Sequence, residues 1–350
     1  MKNKRKWGLN LLFLLLVMGV TIYALFRGSD LNALTGLIRC ADWHWWLAGF
    51  VLMVLFILGE SFVLHDIMAT LKTPHRLDHC FLYSFIGFFF SCITPSAGGG
   101  QPAQVYFMRR DGISAAVSVP VLILVTITYK LVLVLYGMAV FLFRPANIMS
   151  ILEPAMVWCY VGFGLNIAFV GLCLMLIFCP RVVERFLHAC LRVWKRIFPK
   201  GQHEKHMESL QDWMQKYRDV ADCFKNHWGM IFRITILTVV QRSLLFAVTY
   251  VVMRSFGITG TGLITAIVLQ AMISMGTDLL PLPGGMGASE TMFMWIFPAV
   301  CGSELTLPVL LVSRGISYYG QLLLSAVFTG MAAFLIGRPE REEVEHDRIL

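Results

Sequence analysis

The chain has 350 residues, of which 57% are hydrophobic and 14% charged, and its mean hydropathy is +0.71. This composition excludes an ordinary soluble domain and predicts an all-α integral membrane protein. The net charge of +8 does not indicate a nucleic-acid partner, because most basic residues lie between apolar runs, where they set topology and contact anionic headgroups.

The first predicted span is the apolar run 9–26, and the basic residues before it place the N-terminus in the cytoplasm. The run lacks a small-residue cleavage pattern, so we predict a membrane helix and not a secretory signal peptide. Five further full spans are predicted at 43–64, 115–143, 155–179, 231–252 and 307–336. Their alternation also places the charged tail, residues 337–350, in the cytoplasm.

A break follows the apolar run 80–93, whose length of about fourteen residues is too short to cross a bilayer. The break, residues 94–102, reads TPSAGGGQP, and its prolines and glycines are expected to leave the helical ladder. Arg109 and Arg110 follow and cannot lie in hydrocarbon, so the chain is expected to return to the cytoplasmic surface. These features predict a re-entrant hairpin, whose tip includes Pro95, Ser96, Gly98, Gly99, Gly100 and Gln101.

A second break ends the apolar run 263–280 and is followed by the short apolar segment 291–300. Span, broken hairpin and span therefore occur twice, in 43–143 and in 231–336, and the second copy is entered from the opposite side. Such an inverted repeat with Pro/Gly-interrupted segments indicates a transporter-like site near the midplane. The alternative is that the glycines only let helices pack closely. The tip residues predicted here are Pro281, Pro283, Gly284, Gly285 and Gly287.

The predicted fold is thus a bundle of about six full spans plus two re-entrant hairpins. It forms a single transmembrane domain over residues 1–350, with a first half at about 9–179, a cytoplasmic basic loop at 180–228, a second half at about 229–336 and the charged tail. Apolar and basic residues alternate over 185–197 in that loop. This pattern fits either a basic amphipathic helix on the membrane surface or a connecting helix packed against the bundle.

Five ionisable residues are predicted to lie at membrane depth: Lys130, Arg242, Asp278, Glu290 and Arg314. Basic residues outnumber acidic ones, so at least one cation is left for an outside anion unless all of them pair internally. A phosphate headgroup would supply that anion, with arginine and lysine as its ligands. Glu60 lies near the inner end of its span, as either a solvated interfacial carboxylate or a buried functional one.

Enzyme motifs for a nucleophile elbow, a nucleotide-binding loop or a zinc protease are missing from the sequence. His65, His75 and His79 cluster at the predicted inner boundary, where contact with solvent or headgroups is expected rather than catalysis. The nine cysteines show no CxxC pair and no metal-ligand spacing. We therefore expect no catalytic residue, no metal and no cofactor.

At the two breaks, TPSAGGGQPAQVYFMRRDG (94–112) and LPLPGGMGASE (280–290), the chain resembles the lysylphosphatidylglycerol synthase transmembrane family, also described as flippase-like. The resemblance covers about 9–336. It implies a bacterial plasma membrane location, a role in lipid metabolism and resistance to cationic antimicrobial peptides. Bifunctional members add further spans and a soluble domain that transfers lysine from lysyl-tRNA to phosphatidylglycerol.

Three functions are consistent with these observations. The first is a flippase that binds and translocates a phospholipid with an anionic or aminoacylated headgroup, such as lysylphosphatidylglycerol. The second is a phosphatidylglycerol lysyltransferase, or the membrane subunit of one with a separate synthase chain. A loop of about 50 residues is too small for a domain that holds a charged tRNA, which argues against synthesis by this chain alone. The third is a scaffold in envelope synthesis that transports nothing.

Overall fold

The structure is a computed structural model that describes residues 31–73, 76–179, 184 and 203–336. The predicted first span, His75, the alternating segment 185–197 and the charged tail lie outside these residues. All regular structure within the described residues is helical, and the protein is an all-α membrane protein. Among the described residues, five helical segments are long and apolar enough to cross a membrane: Trp43–Thr70, Ala115–Phe143, Ala146–Phe178, Trp228–Ser255 and Ser303–Leu335.

The helices in chain order are α1 (Leu31–Cys40), α2 (Trp43–Thr70), α3 (Leu77–Ile93), α4 (Gly100–Arg110), α5 (Ala115–Phe143), α6 (Ala146–Leu152), α7 (Met156–Phe178), α8 (His203–Asn226), α9 (Trp228–Ser255), α10 (Leu263–Thr277), α11 (Ala288–Ile296), α12 (Pro298–Cys301), α13 (Ser303–Arg314) and α14 (Gln321–Leu335). A 3-10 turn, Glu153–Ala155, joins α6 to α7, and a π-helical segment, Gly315–Gly320, joins α13 to α14. Helices α2, α5, α7 and α9 are mostly apolar and have no distinct polar face, as expected where the surrounding solvent is lipid.

Helices α2 and α9 are antiparallel neighbours, held together at both ends. At one end, Asp42 N–H donates to Ser255 O at 3.0 Å. At the other, Arg233 Nε donates to Asp66 Oδ2 at 2.7 Å. Because α2 opens the first repeat and α9 opens the second, their opposite directions confirm that the two repeats are inverted.

Each repeat continues with a hairpin of two short helices, α3 with α4 and α10 with α11. The first hairpin starts just after the C-terminal end of α2 and the second just after that of α9, so they enter the bundle from opposite ends. Helix α3 packs against α14 and α10 packs against α5, so each hairpin contacts the closing span of the other repeat. Both predicted re-entrant hairpins are therefore present.

The first break is shorter than predicted, because α4 already begins at Gly100 and includes Gln101 and Pro102. The first N–H groups of a helix have no intrahelical partner, so a proline in the first turn costs little. Gly100 also lets the two arms of the hairpin approach closely, since a Cβ there would lie 2.8 Å from Gly87 O. The prediction that three successive glycines exclude a helix was wrong at the third of them.

The second break also differs from its predicted limits. Helix α10 ends at Thr277 rather than near residue 280, and α11 begins at Ala288. Glu290 therefore lies in the first turn of a helix and not in the loop before it. The last span is interrupted by the π-helical segment, which was not predicted and which often marks a functional position in a helix.

The end of the basic loop packs against the bundle. Helix α8 contacts α5 and α7, and the Tyr217 hydroxyl donates to Leu176 O at 3.0 Å. Tyr217 and Phe224 are almost fully buried. For residues 203–226 this favours the packed connecting helix, whereas the segment that suggested a surface helix lies outside the described residues.

Candidate functional site

The tips of the two hairpins meet each other. Pro95 and Pro283 face each other in an isolated antiparallel bridge, and Ser96 Oγ donates to Leu280 O at 3.2 Å. The Tyr318 hydroxyl, from the π segment, donates to Cys92 O at 2.9 Å. Irregular backbone from both repeats and the unwound part of the last span therefore meet in one place, as expected for a site within a membrane.

The first tip carries backbone strain. Ser96 and Ala97 have φ angles of +52° and +54°, a left-handed conformation that residues with a Cβ adopt at a cost of roughly 1–2 kcal/mol each. Consecutive strained residues persist only where the surroundings hold them in place. Here the contacts with Leu280 and Pro283 provide that constraint.

One face of α5 contacts both hairpins and α9. Thr126 Oγ1 accepts a hydrogen bond from Gln101 Nε2 of the first hairpin at 3.1 Å. Lys130 Nζ donates to Asp278 Oδ2 of the second hairpin at 2.6 Å. Between them, the Tyr129 ring lies 4.3 Å from the guanidinium carbon of Arg242. Positions three and four apart share a helix face, so this single turn of α5 joins the three elements.

Arg242 is the buried cation of this group. It is 5% exposed, and its guanidinium lies between the Tyr129 ring and the Phe246 ring, at 5.0 Å from the second. Its Nε and Nη2 are buried and have no hydrogen-bond partner among the described residues. Asp278 lies within electrostatic reach but already forms its ion pair with Lys130. Stacking on aromatic rings offsets part of the cost of burying the charge, while two N–H donors stay unsatisfied.

Arg314 and Glu290 form a second group at the start of α11. Arg314 Nε contacts Glu290 Oε1 at 2.9 Å, and the Glu290 side chain is 8% exposed. Glu290 Oε2 accepts from Gly287 N–H at 2.7 Å and from Ser289 Oγ at 3.0 Å. Arg314 also donates to Ser289 Oγ. A glutamate at the third position of a helix satisfies free N–H groups of its first turn, so Glu290 is both a helix cap and a counter-ion.

The five predicted charges thus form two groups in the described residues: Lys130, Asp278 and Arg242 at α5, and Arg314 with Glu290 at α11. Of the predicted tip residues, Pro95, Ser96, Gly98 and Pro281 are exposed, Gly100 and Pro283 are buried, and Gly99, Gln101, Gly284, Gly285 and Gly287 are intermediate. The two anions neutralise two of the three cations. Among these five charges, Arg242 is the cation without an ion-pair partner of its own.

Several side chains of the site were not found from the sequence. Tyr129 stacks on Arg242, Ser289 binds both partners of the second ion pair, and Tyr318 connects the last span to the first hairpin. The signal for Tyr318 is its spacing of four residues from Arg314, which places both on one face of an ordinary helix. Tyr129 precedes Lys130 directly, and no pattern distinguishes it from other aromatic residues in spans.

The family model described as the lysylphosphatidylglycerol synthase TM region matches residues 9–325. No curated protein matches the chain. The match includes both hairpins and every charged residue of the two groups. The chain therefore belongs to the family of the lysylphosphatidylglycerol synthase transmembrane region.

Proposed function

We propose that this protein is a lipid flippase that binds the phosphate of a phospholipid headgroup at Arg242 and moves the lipid between leaflets. The observation that carries the proposal is the buried guanidinium of Arg242, whose Nε and Nη2 have no partner among the described residues. A planar guanidinium binds phosphate oxygens through two parallel N–H bonds. A phosphodiester would satisfy both donors and neutralise the charge in excess.

The two hairpins support translocation rather than static binding. Their tips meet inside the bundle after entering from opposite ends, and such discontinuous helices frame the substrate sites of transporters with inverted repeats. Lys130 and Arg314 have their own anions at 2.6 and 2.9 Å. They would therefore hold the two tips in place and contact the headgroup only after those ion pairs rearrange.

The charge balance favours a headgroup with a single phosphodiester. One excess cation matches one negative charge, as in phosphatidylglycerol or in an aminoacylated derivative whose amine finds a carboxylate nearby. The family to which the chain belongs favours lysylphosphatidylglycerol or a related aminoacyl or anionic lipid. The proposal also includes a location in a bacterial plasma membrane, with both termini in the cytoplasm. It further includes a role in resistance to cationic antimicrobial peptides.

The test is a transport assay with the full chain reconstituted in liposomes that contain fluorescent phosphatidylglycerol. Lipid that reaches the inner leaflet is protected from a membrane-impermeant quencher. Arg242→Gln is expected to abolish protection, and Arg242→Lys to restore little, because an ammonium lacks the planar fork. The matched control is Arg254→Gln on the same helix. Arg254 also stacks on a tyrosine, Tyr250, at 5.2 Å, and its loss is expected to leave transport intact.

Stability measurements separate this role from a structural one. An arginine with unsatisfied donors in the membrane costs about 3 kcal/mol or more, so Arg242→Gln is expected to leave the thermal stability unchanged or higher. A variant that loses both stability and transport would show that Arg242 supports the fold. Equal transport by wild type and Arg242→Gln would rule out the proposed phosphate site.

A further inference from the structure

Glu60 is the buried carboxyl that the proposed phosphate site does not use. It lies within α2 and is 8% exposed. The sequence left open whether it was solvated, and the structure places it inside the bundle. Its neighbour Gly59 packs against α9, where a Cβ would lie 2.8 Å from Gln241 Cγ. Helix α2 therefore packs closely against α9 one residue before Arg242.

The hydrogen-bond partner of Glu60 is neutral. Gln104 Nε2, from the second arm of the first hairpin, donates to Glu60 Oε1 at 2.9 Å and to Tyr83 O at 3.1 Å. Gly87 makes room for this amide, because a Cβ there would lie 2.4 Å from Gln104 Nε2. The carboxylates of Asp278 and Glu290, in contrast, each have a cation within 3 Å. The Glu60 carboxyl thus connects α2 to the first hairpin through an amide.

The elements packed against α2 present few charged or titratable groups to this carboxyl. Helix α5 presents Tyr129, which lies within electrostatic reach of both Glu60 and Arg242. Helix α9 carries Arg242, which stacks on the same Tyr129 ring. Helix α3 presents Tyr83, whose hydroxyl donates to Asp111, and the π segment directs Tyr318 to Cys92. Arg242 is therefore the single cation in this group with no anion of its own.

We propose that Glu60 is a proton-binding site that controls whether Arg242 is available to phosphate. An unpaired carboxylate is costly inside a membrane, so the carboxyl binds a proton while Arg242 binds the lipid. When the proton leaves to water, the carboxylate attracts Arg242 and competes with the phosphate. By linkage, phosphate binding favours protonation to the same extent that protonation favours phosphate binding. Lipid and proton then cross together, one proton for each phosphate.

This inference rests on the proposed flippase function and names its energy source. The test uses the same liposomes with a pH gradient across the membrane. Lipid is expected to accumulate on the alkaline side by about tenfold for each unit of gradient, since at a ratio of one proton to one lipid a tenfold proton ratio balances a tenfold lipid ratio. A protonophore is expected to remove the difference. Glu60→Gln, which carries a permanently neutral side chain, is expected to transport at a rate that no longer responds to the gradient.

The matched control is Glu304→Gln, an exposed carboxylate at the start of α13, which is expected to respond as the wild type does. A second readout does not depend on transport. The infrared carbonyl band of a protonated carboxyl is expected in the wild type when phosphatidylglycerol is bound, and Glu60→Gln is expected to remove it.

The outcomes separate the two proposals. If transport by the wild type does not depend on the pH gradient, the proposed proton site is wrong, whereas the flippase function is unaffected by this result. Persistence of the carboxyl band in Glu60→Gln, or a normal gradient response of that variant, also overturns the proton site. A chain that moves no lipid under any gradient overturns the flippase, and the infrared band then still decides whether Glu60 holds a proton.

Discussion

Lys130 Nζ lies 2.6 Å from Asp278 Oδ2, and this ion pair joins the closing span of the first repeat to the tip of the second hairpin. The two side chains are 12% and 27% exposed, so both charges are largely removed from solvent. A buried pair contributes little net stability, but removing one partner leaves the other charge uncompensated. The contact is therefore a sensitive place to test how the repeats are held together.

We expect Lys130→Met to destabilise the protein by about 3 kcal/mol, because Asp278 is left without its cation. The additional change Asp278→Asn removes the orphaned charge, so the double variant is expected to regain most of the loss. Unfolding by denaturant in detergent micelles, carried out as a double-mutant cycle, measures the coupling.

The control for this prediction is the ion pair between Arg233 and Asp66 at the end of α2 and α9. The Arg233 side chain is 63% exposed, and Arg233→Met is expected to cost much less than Lys130→Met, because exposed ion pairs contribute little to stability. Equal losses at the two pairs would mean that the Lys130 pair is as solvated as the exposed one.

Glu290 has two roles that different substitutions separate. Glu290→Gln keeps an oxygen for the Gly287 N–H but loses the charge that faces Arg314, and we expect a loss of about 2 kcal/mol. Glu290→Leu also removes the cap, which adds about 1 kcal/mol. Thermal unfolding of the purified variants checks the order. If the two variants are equally stable, the contact with Gly287 contributes nothing.

The sequence predicted the elements that depend on length and hydropathy. Apolar runs of more than 20 residues became the spans, and runs of fewer than 20 before Pro/Gly breaks became the hairpins. The excess of basic residues among the five predicted charges can be counted without coordinates, and whether it leaves a cation for an outside anion stays a prediction. The identity of that cation as Arg242 required the structure, since either anion could have paired with it.

Features that depend on tertiary packing were not predictable. Gln104 reaches Glu60 only because Gly87 of a neighbouring helix gives it room, a relation that involves three helices. The π segment inserts its extra residue into a run without a proline, between Gly315 and Gly320, and glycines alone do not distinguish a π segment from an ordinary membrane helix. The glycines of the two breaks have both of the roles considered for them. Gly100 lets two helices pack closely, whereas Gly284 and Gly287 adopt positive φ angles of +56° and +84° in irregular backbone.

The strain at the first tip predicts a stabilising substitution. Ala97→Gly removes a left-handed penalty of about 1–2 kcal/mol and adds chain entropy of about 0.5–1 kcal/mol to the unfolded state. We expect a net gain of about 0.5–1 kcal/mol in the free energy of unfolding. The control, Ala326→Gly within α14, is expected to lose about 1 kcal/mol. A loss at both positions would show that Ala97 is not strained.

Gly284 is the position where the second tip is packed most tightly. Its φ is +56°, and a Cβ there would lie 2.1 Å from Tyr318 Cε2. Gly284→Ala is expected to cost about 3 kcal/mol, of which about 1 kcal/mol is backbone strain and the rest is overlap with the ring. The free energy of unfolding in micelles measures the loss.

Gly257 provides the matched control, because its φ is +75° and no atom lies within 4 Å of the position of a Cβ. Gly257→Ala is expected to show the backbone strain alone, about 1 kcal/mol. Introducing Gly284→Ala into a Tyr318→Ala background removes the ring that it would strike, so its cost there is expected to fall to the value at Gly257. A cost that stays near 3 kcal/mol without the ring would place the constraint in the backbone of the second tip and not in its contact with the π segment.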